Sequence, residues 1–204
     1  MATKPWDSRL AHFLVSPLRR TPVHPNVLTT LGLMSGLAAA NLLATGRPES
    51  MNWGAAVFVL SAIFDHADGE LARMTGKTSA FGHTYDRVAD LVVKMSVFTG
   101  MGVGVRAALG DAGPFLGGAA GLAIIAIFVM RTELARRQGP SALAQPAAGG
   151  FEIEDILYVI APVTWLGLLP AFVLAASIGA PAVALWIARG FRARPVEVSS
   201  GRRR

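Results

Sequence analysis

The residues best placed to do chemistry in this sequence are four aspartates. Asp65 and Asp68 stand three residues apart and Asp86 and Asp90 four apart, within the run FDHADGELARMTGKTSAFGHTYDRVAD. On helices, each pair projects from a single face. The intervening segment contains the helix-breaking Gly76 and Gly82 and is short enough to set the two helix ends side by side, so the four carboxylates are expected to converge. Such a group of charges repels itself and costs several kcal/mol to desolvate. Arg73 and Arg87 cannot neutralise all of it. Hard divalent cations can, because Mg²⁺, Mn²⁺ and Ca²⁺ prefer carboxylate oxygen. Solvation by water or pairing with arginine would account for one or two interfacial aspartates, but poorly for four at helical spacing.

Two further residue types narrow the ligand. Gly69 directly follows Asp68, inside a helix where glycine costs about 1 kcal/mol relative to alanine. Ala72 is again small, and Arg73 offers a planar fork suited to phosphate oxygens. Close helix packing also explains small residues. Metal and arginine beside a small-residue floor nevertheless point to a diphosphate. The chain has no cysteine, which excludes disulfides and thiolate metal sites, and its four histidines show no metal-ligand spacing.

The elements that must hold these residues are apolar. Of 204 residues, 52% are hydrophobic and only 16% charged, with a mean hydropathy of +0.47, against about 25% charged in soluble domains. A single domain over 1–204, an all-α integral membrane protein, follows from length and composition. Six stretches approach the roughly 20 apolar residues a spanning helix needs: 26–45, 52–73, 83–109, 113–135, 152–169 and 171–190. Pro170 is expected to mark the break between the last two. The net charge of +6 gathers in the N-terminal segment, around 73–77, at Arg131, Arg136 and Arg137, and in the tail 191–204. Apolar stretches separate these clusters, the pattern of membrane topology with both termini cytosolic rather than of a nucleic-acid surface. Residues 1–20 lack the layout of a secretory signal and fit an interfacial amphipathic helix, with Trp6, Leu10, Phe13 and Leu14 at helical spacing. The segment 138–150 reads as a loop.

The spacing Asp65-x2-Asp68-Gly69-x2-Ala72-Arg73-x8-Gly82-x3-Asp86-x3-Asp90 resembles the signature of the CDP-alcohol phosphotransferase family. Eight specified positions coincide by chance with a probability on the order of 10⁻¹⁰ per start site at average residue usage. TPVHPNVLTTLGL at 21–33 is similar to the Pro-Asn-x-x-Thr entry to the first span of many members. The resemblance implies transfer of a phosphoalkyl group from a CDP-linked donor, CDP-diacylglycerol in the commonest bacterial pairing, to an alcohol with release of CMP. It implies that Asp65, Asp68, Asp86 and Asp90 form the site of one or two Mg²⁺ or Mn²⁺ ions, and that Asp90 is also the general base. Gly69, Ala72, Arg73 and Gly82, with Asn26 and Thr29, would line the CDP pocket. It further implies a bilayer setting, the bacterial inner membrane, and a homodimer, in which Gly100, Gly102 and Gly104 could pack closely.

Other residues stay open. Lys94 continues the Asp86–Asp90 stripe and could pair with Asp90 or contact an acceptor. Arg131, Arg136 and Arg137 suit an acceptor phosphate or a topology anchor, and Glu152, Glu154 and Asp155 a cationic headgroup or an ordinary helix start. The segment GELARMTGKTSAFG is closer to inositol-phosphate-type members, whereas the fifth span lacks the buried arginine that would suit a phosphorylated acceptor. Two other classes share the metal chemistry: an intramembrane prenyltransferase, whose aspartate spacing and span number differ, and a divalent cation transporter, which the Gly-x2-Ala-Arg element does not fit.

Overall fold

The structure is a computed structural model and describes residues 13, 15–138 and 158–193. Most of the expected interfacial helix, the linker 139–150, the acidic cluster Glu152, Glu154 and Asp155, and the tail from 194 lie outside them. Within the described residues the chain is wholly helical, with no strand. A 3₁₀ turn, Ser16–Arg20, leads into α1 (Pro25–Ala44), α2 (Pro48–Thr75), α3 (Ala80–Gly104), α4 (Ala112–Gln138), α5 (Ile160–Trp165) and α6 (Leu169–Ala193). A single helical turn, Arg106–Leu109, joins α3 to α4.

The helix ends follow local chemistry. Pro25 and Pro48 open α1 and α2, where a missing N–H costs nothing. The His24 ring accepts from the Asn26 N–H at 3.3 Å, and Ser79 Oγ accepts from the Gly82 N–H at 2.9 Å to cap α3. Gly76 ends α2 in the left-handed region, φ 68°, and lets the chain turn directly towards α3. Lys77 fastens this turn by donating to the Val23 carbonyl at 3.3 Å.

Among the described residues three helices, Pro25–Ala44, Ala112–Arg137 and Leu169–Arg189, are long and apolar enough to cross a membrane. α2 and α3 also have the length, about 42 and 37 Å at 1.5 Å per residue. They carry the acids and bases of the motif, which breaks their apolar runs. Large apolar side chains face outwards, among them Phe115 (80% exposed) and Ile178 (72%), as expected of a surface that meets lipid rather than water.

Two boundaries differ from the sequence expectation. The third stretch does not run unbroken over 83–109: α3 stops at Gly104, and Gly110, φ 59°, turns the chain before α4. Pro170 does not make the last break. It sits in the first turn of α6, a position proline tolerates, and Gly167, φ 72°, makes the turn.

α1 lies between α2 and α3, packing closely on both, while those two helices touch each other only slightly. α4 packs on α3, α6 on α4, and α5 on α2. The contacts are close because glycines line them. A Cβ on Gly54 would lie 3.0 Å from the Ala39 carbonyl oxygen, and one on Gly100 or Gly104 would overlap the Ala40 or Leu43 carbonyl. Gly102 abuts Gly113 and Gly117 of α4. These three glycines of α3 therefore pack against helices of their own chain. Ser61 adds a polar tie by donating to the Gly32 carbonyl at 2.7 Å. The main core runs through Leu43, Phe58, Val97, Phe98, Met101, Ile160 and Val173. A smaller one, Val15, Leu28, Ala67 and Leu71, anchors the 3₁₀ turn beside the motif.

Candidate functional site

α2 and α3 each present two of the four aspartates near the ends joined by the Gly76 turn, with α1 between the helices. The outcome is two adjoining clefts. One, about 500 Å³, is lined by Asn26, Thr29, Gly69, Ala72, Arg73 and Gly82 together with Asp68 and Asp86. All six residues expected to contact CDP therefore share one cleft. The other, about 620 Å³, holds Asp65 and Asp90 with Lys94, His66 and Tyr158 above an apolar floor of Leu33, Phe58 and Val93. Thr29 borders both.

The floor of the first cleft depends on missing side chains. A Cβ on Gly82 would approach Ser79 Oγ to 3.1 Å and Asn26 Oδ1 to 3.2 Å. Over Gly69 lies the Arg73 guanidinium, whose nearest nitrogen is 3.5 Å from where a Cβ would stand. Glu70, buried, accepts from Arg73 Nε at 3.1 Å and Nη2 at 2.8 Å. With the arginine 64% exposed this ion pair contributes little stability, but it fixes which edge of the fork faces the cleft.

The four carboxylates are within electrostatic range of one another: Asp65 senses Asp90, Asp86 and Asp68, and Asp68 senses Asp86. They do not form a ready-made cage. Among the described residues no three His, Asp or Glu groups stand close enough to hold an ion together. Two of the acids are turned to protein partners instead. Thr29 Oγ1 donates to Asp68 Oδ2 at 2.5 Å, and Asp90 Oδ1 accepts from Lys94 Nζ. The donor set still suits a divalent ion, because it is all carboxylate and comes from two helices facing each other across α1.

Lys94 has one of the two partners expected for it. Its ammonium pairs with Asp90 and lies 5.0 Å from the centroid of Phe128 on α4. Arg136 and Arg137 are both engaged by Glu133 at 2.9 and 2.5 Å, whereas Arg131 is not. Several lining residues were not singled out in the sequence: Lys77, Thr78, Ser79 and His83 in the first cleft, Ser61, His66 and Tyr158 in the second. For Ser79 a signal existed, a helix-capping serine three residues before Gly82. For Tyr158 none did, since only the fold brings it to α2, where its ring stands 6.4 Å from that of His66.

Known proteins share parts of this arrangement. The crystal structure of Mycobacterium tuberculosis phosphatidylinositol phosphate synthase (PgsA1) with CDP-DAG bound superposes with a TM-score of 0.58 at 25% identity, covering 91% of this chain and 92% of that one. The same protein in complex with manganese and citrate gives 0.54 at 25% identity over 89% and 83%. In sequence, the chain is 33% identical over 95 residues to phosphatidylinositol phosphate synthase of Mycobacteroides abscessus, 46% of this chain and 42% of that one. It is 35% identical over 80 residues to CDP-diacylglycerol–glycerol-3-phosphate 3-phosphatidyltransferase of Cereibacter sphaeroides, 37% and 36% of the two chains. The chain thus spans less than half the length of these two sequence relatives. A family model described as CDP-alcohol phosphatidyltransferase matches residues 22–188, and the chain belongs to that family.

Proposed function

We propose that this protein is a membrane-embedded phosphatidyltransferase that moves the phosphatidyl group of CDP-diacylglycerol to the hydroxyl of a polar alcohol and releases CMP. The observation that carries the reading is the joining of two clefts along the carboxylates. One has a small-residue floor and an arginine rim whose chemistry suits a nucleoside diphosphate, and the other offers Asp90 to an acceptor.

Asn26, Gly69, Ala72 and Gly82 shape the CDP cleft, and Arg73 supplies donors for diphosphate oxygen. Asp65, Asp68 and Asp86 would hold one or two Mg²⁺ or Mn²⁺ ions, with Thr29 steadying Asp68. Bound there, a divalent ion neutralises the diphosphate and stabilises the charge that develops on departing CMP. Asp90 takes the proton of the acceptor hydroxyl as that oxygen bonds to the phosphorus carrying diacylglycerol. The bond from this phosphorus to the oxygen retained by CMP breaks in the same exchange.

The relatives' names point to a phosphorylated polyol as acceptor. Among the described residues of α4, Arg131 stands outside the Glu133 pairs and would be a candidate for such a phosphate. The helices cross the bilayer six times, with both termini and the clefts on the cytosolic side of a bacterial inner membrane, and two copies form a homodimer. The absence of native cysteine makes single-cysteine labelling a clean test of that topology. The decisive assay for the activity uses the purified chain with CDP-diacylglycerol, Mg²⁺ or Mn²⁺ and a panel of alcohols including inositol phosphate and glycerol phosphate. CMP and a new lipid are the expected products; no CMP with any acceptor and either ion refutes the reading.

A further inference from the structure

α2 and α3 carry the four acids but touch each other only slightly, so the placing of one pair relative to the other passes through α1. Two consecutive residues of α1 reach across to them. Thr29 donates to Asp68 on α2 at 2.5 Å. Thr30 meets the Tyr85 hydroxyl of α3 at 2.9 Å, and Tyr85 immediately precedes Asp86. Adjacent positions on a helix point about 100° apart, which lets neighbours in sequence serve different helices. The partners also fix the direction of the second bond. Thr30 Oγ1 lies 2.8 Å from the Asn26 carbonyl, which can only accept, so its one proton is spent there and Tyr85 is the donor to Thr30. Among the described residues this is the one side-chain hydrogen bond between α1 and α3. The glycine contacts of these helices beyond Asp90, at Gly36, Gly100 and Gly104, are packing without direction. Around the bond, Val27, Met34, Phe81 and Val88 are all exposed, and the Tyr85 ring stacks on that of Phe81. On a face of this kind lipid surrounds the two hydroxyls, and no water competes for them.

Resting on the metal site of the phosphatidyltransferase reading above, we propose that Tyr85 is a positioning residue. Its hydroxyl fixes α3 against α1 beside Asp86, as Thr29 fixes α2 against α1 beside Asp68, so the carboxylates of both helices are held at the separation a divalent ion requires. Such ions demand closely defined ligand positions, Mg²⁺ above all. Without the bond, an ion arriving at the site must itself order the start of α3, and its affinity falls by that cost.

The test uses the full chain in lipid nanodiscs, with Mn²⁺ as probe, reading Mn²⁺ affinity by electron paramagnetic resonance beside the melting temperature and, at saturating Mn²⁺, KM for CDP-diacylglycerol. Tyr85→Phe removes only the hydroxyl and keeps the ring on Phe81; Thr30→Val removes its acceptor. A contact can alter ion affinity by no more than its own free energy, which for a hydrogen bond between membrane helices corresponds to about 3- to 20-fold. Each variant should weaken Mn²⁺ binding within that range and leave KM little changed, and Thr30→Ser, which keeps the acceptor, should stay within about twofold of wild type. The double variant should lose no more than the larger single loss, because the two residues act as one unit. Unchanged Mn²⁺ affinity in Tyr85→Phe overturns the proposal: a lowered melting temperature then makes the bond purely structural, and a raised KM makes Tyr85 a substrate contact. Losses that add in the double variant mean that the two hydroxyls act separately, and overturn it too. Mn²⁺ affinity is read without turnover, so the two readings fail by different signs. Wild-type protein that binds Mn²⁺ but releases no CMP refutes the transferase and leaves the affinities to decide the role of Tyr85, whereas wild-type protein that binds no Mn²⁺ refutes both.

Discussion

Replacing Thr29 by valine isolates one contact at the junction of the two clefts. The substitution keeps shape and removes the hydroxyl that donates to Asp68 Oδ2 at 2.5 Å, in a pocket where Thr29 is 5% and Asp68 4% exposed. A hydrogen bond to a charged group contributes about 1.5–3 kcal/mol, and leaving a buried carboxylate oxygen without it forfeits that amount. At about 1.4 kcal/mol per factor of ten, the loss corresponds to roughly 10- to 100-fold. Because Asp68 is a proposed metal ligand, the loss should appear as a 10- to 100-fold rise in the Mn²⁺ concentration giving half-maximal CMP release, in line with the range for residues behind metal ligands. Thr29→Ser keeps the donor and should stay within about threefold of wild type. The assay is CMP release at saturating CDP-diacylglycerol over a Mn²⁺ titration, with circular dichroism confirming that each variant is folded. A folded Thr29→Val protein with wild-type Mn²⁺ dependence would refute the idea that Thr29 holds Asp68 for metal.

Asp90→Asn should cut turnover by about 10²- to 10⁴-fold, the usual worth of a general base, while CDP-diacylglycerol binding measured by isothermal titration persists. Gly82→Ala should raise KM for the donor several-fold with an unchanged melting temperature, because the new Cβ points at Asn26 Oδ1 3.2 Å away on the cleft wall rather than into the core. Gly104→Val should instead lower the melting temperature sharply, or prevent accumulation of the protein, since its side chain would overlap the Leu43 carbonyl where α1 meets α3. Chelation with EDTA should abolish CMP release, and added Mn²⁺ or Mg²⁺ should restore it without refolding.

Much of the site was legible because it is local. Helical spacing alone sets Asp65 with Asp68 and Asp86 with Asp90, and Gly76 in the short link brings their helices' ends together; Gly82, expected to break a helix, lies instead in the first turn of α3. Asn26 and Thr29 were found only through the resemblance of TPVHPNVLTTLGL, and what Thr29 does was hidden, because its bond to Asp68 spans 39 positions in the chain. The division of four converging acids between two clefts was equally hidden, since it follows from α1 lying between α2 and α3. Lys94 showed the right register for Asp90, but its other contact, Phe128, arrives from another helix. Hydrophobic runs located the long helices and blurred their ends. An apolar stretch continues smoothly past Gly104, and proline draws the eye to 170 when glycine at 167 makes the turn.

The placing of α1 also gives the site a calliper. α2 and α3 barely touch, so the gap between the Asp65–Asp68 jaw and the Asp86–Asp90 jaw is set by the girth of the helix clasped between them. That girth is narrow at Gly36, where a Cβ would press on the Val93 methyls of α3 at 2.5 Å and on Ser61 Oγ of α2 at 3.0 Å at once. Any side chain there acts as a shim, prising the jaws apart through Val93 and Ser61 on the wall of the second cleft without touching a single carboxylate.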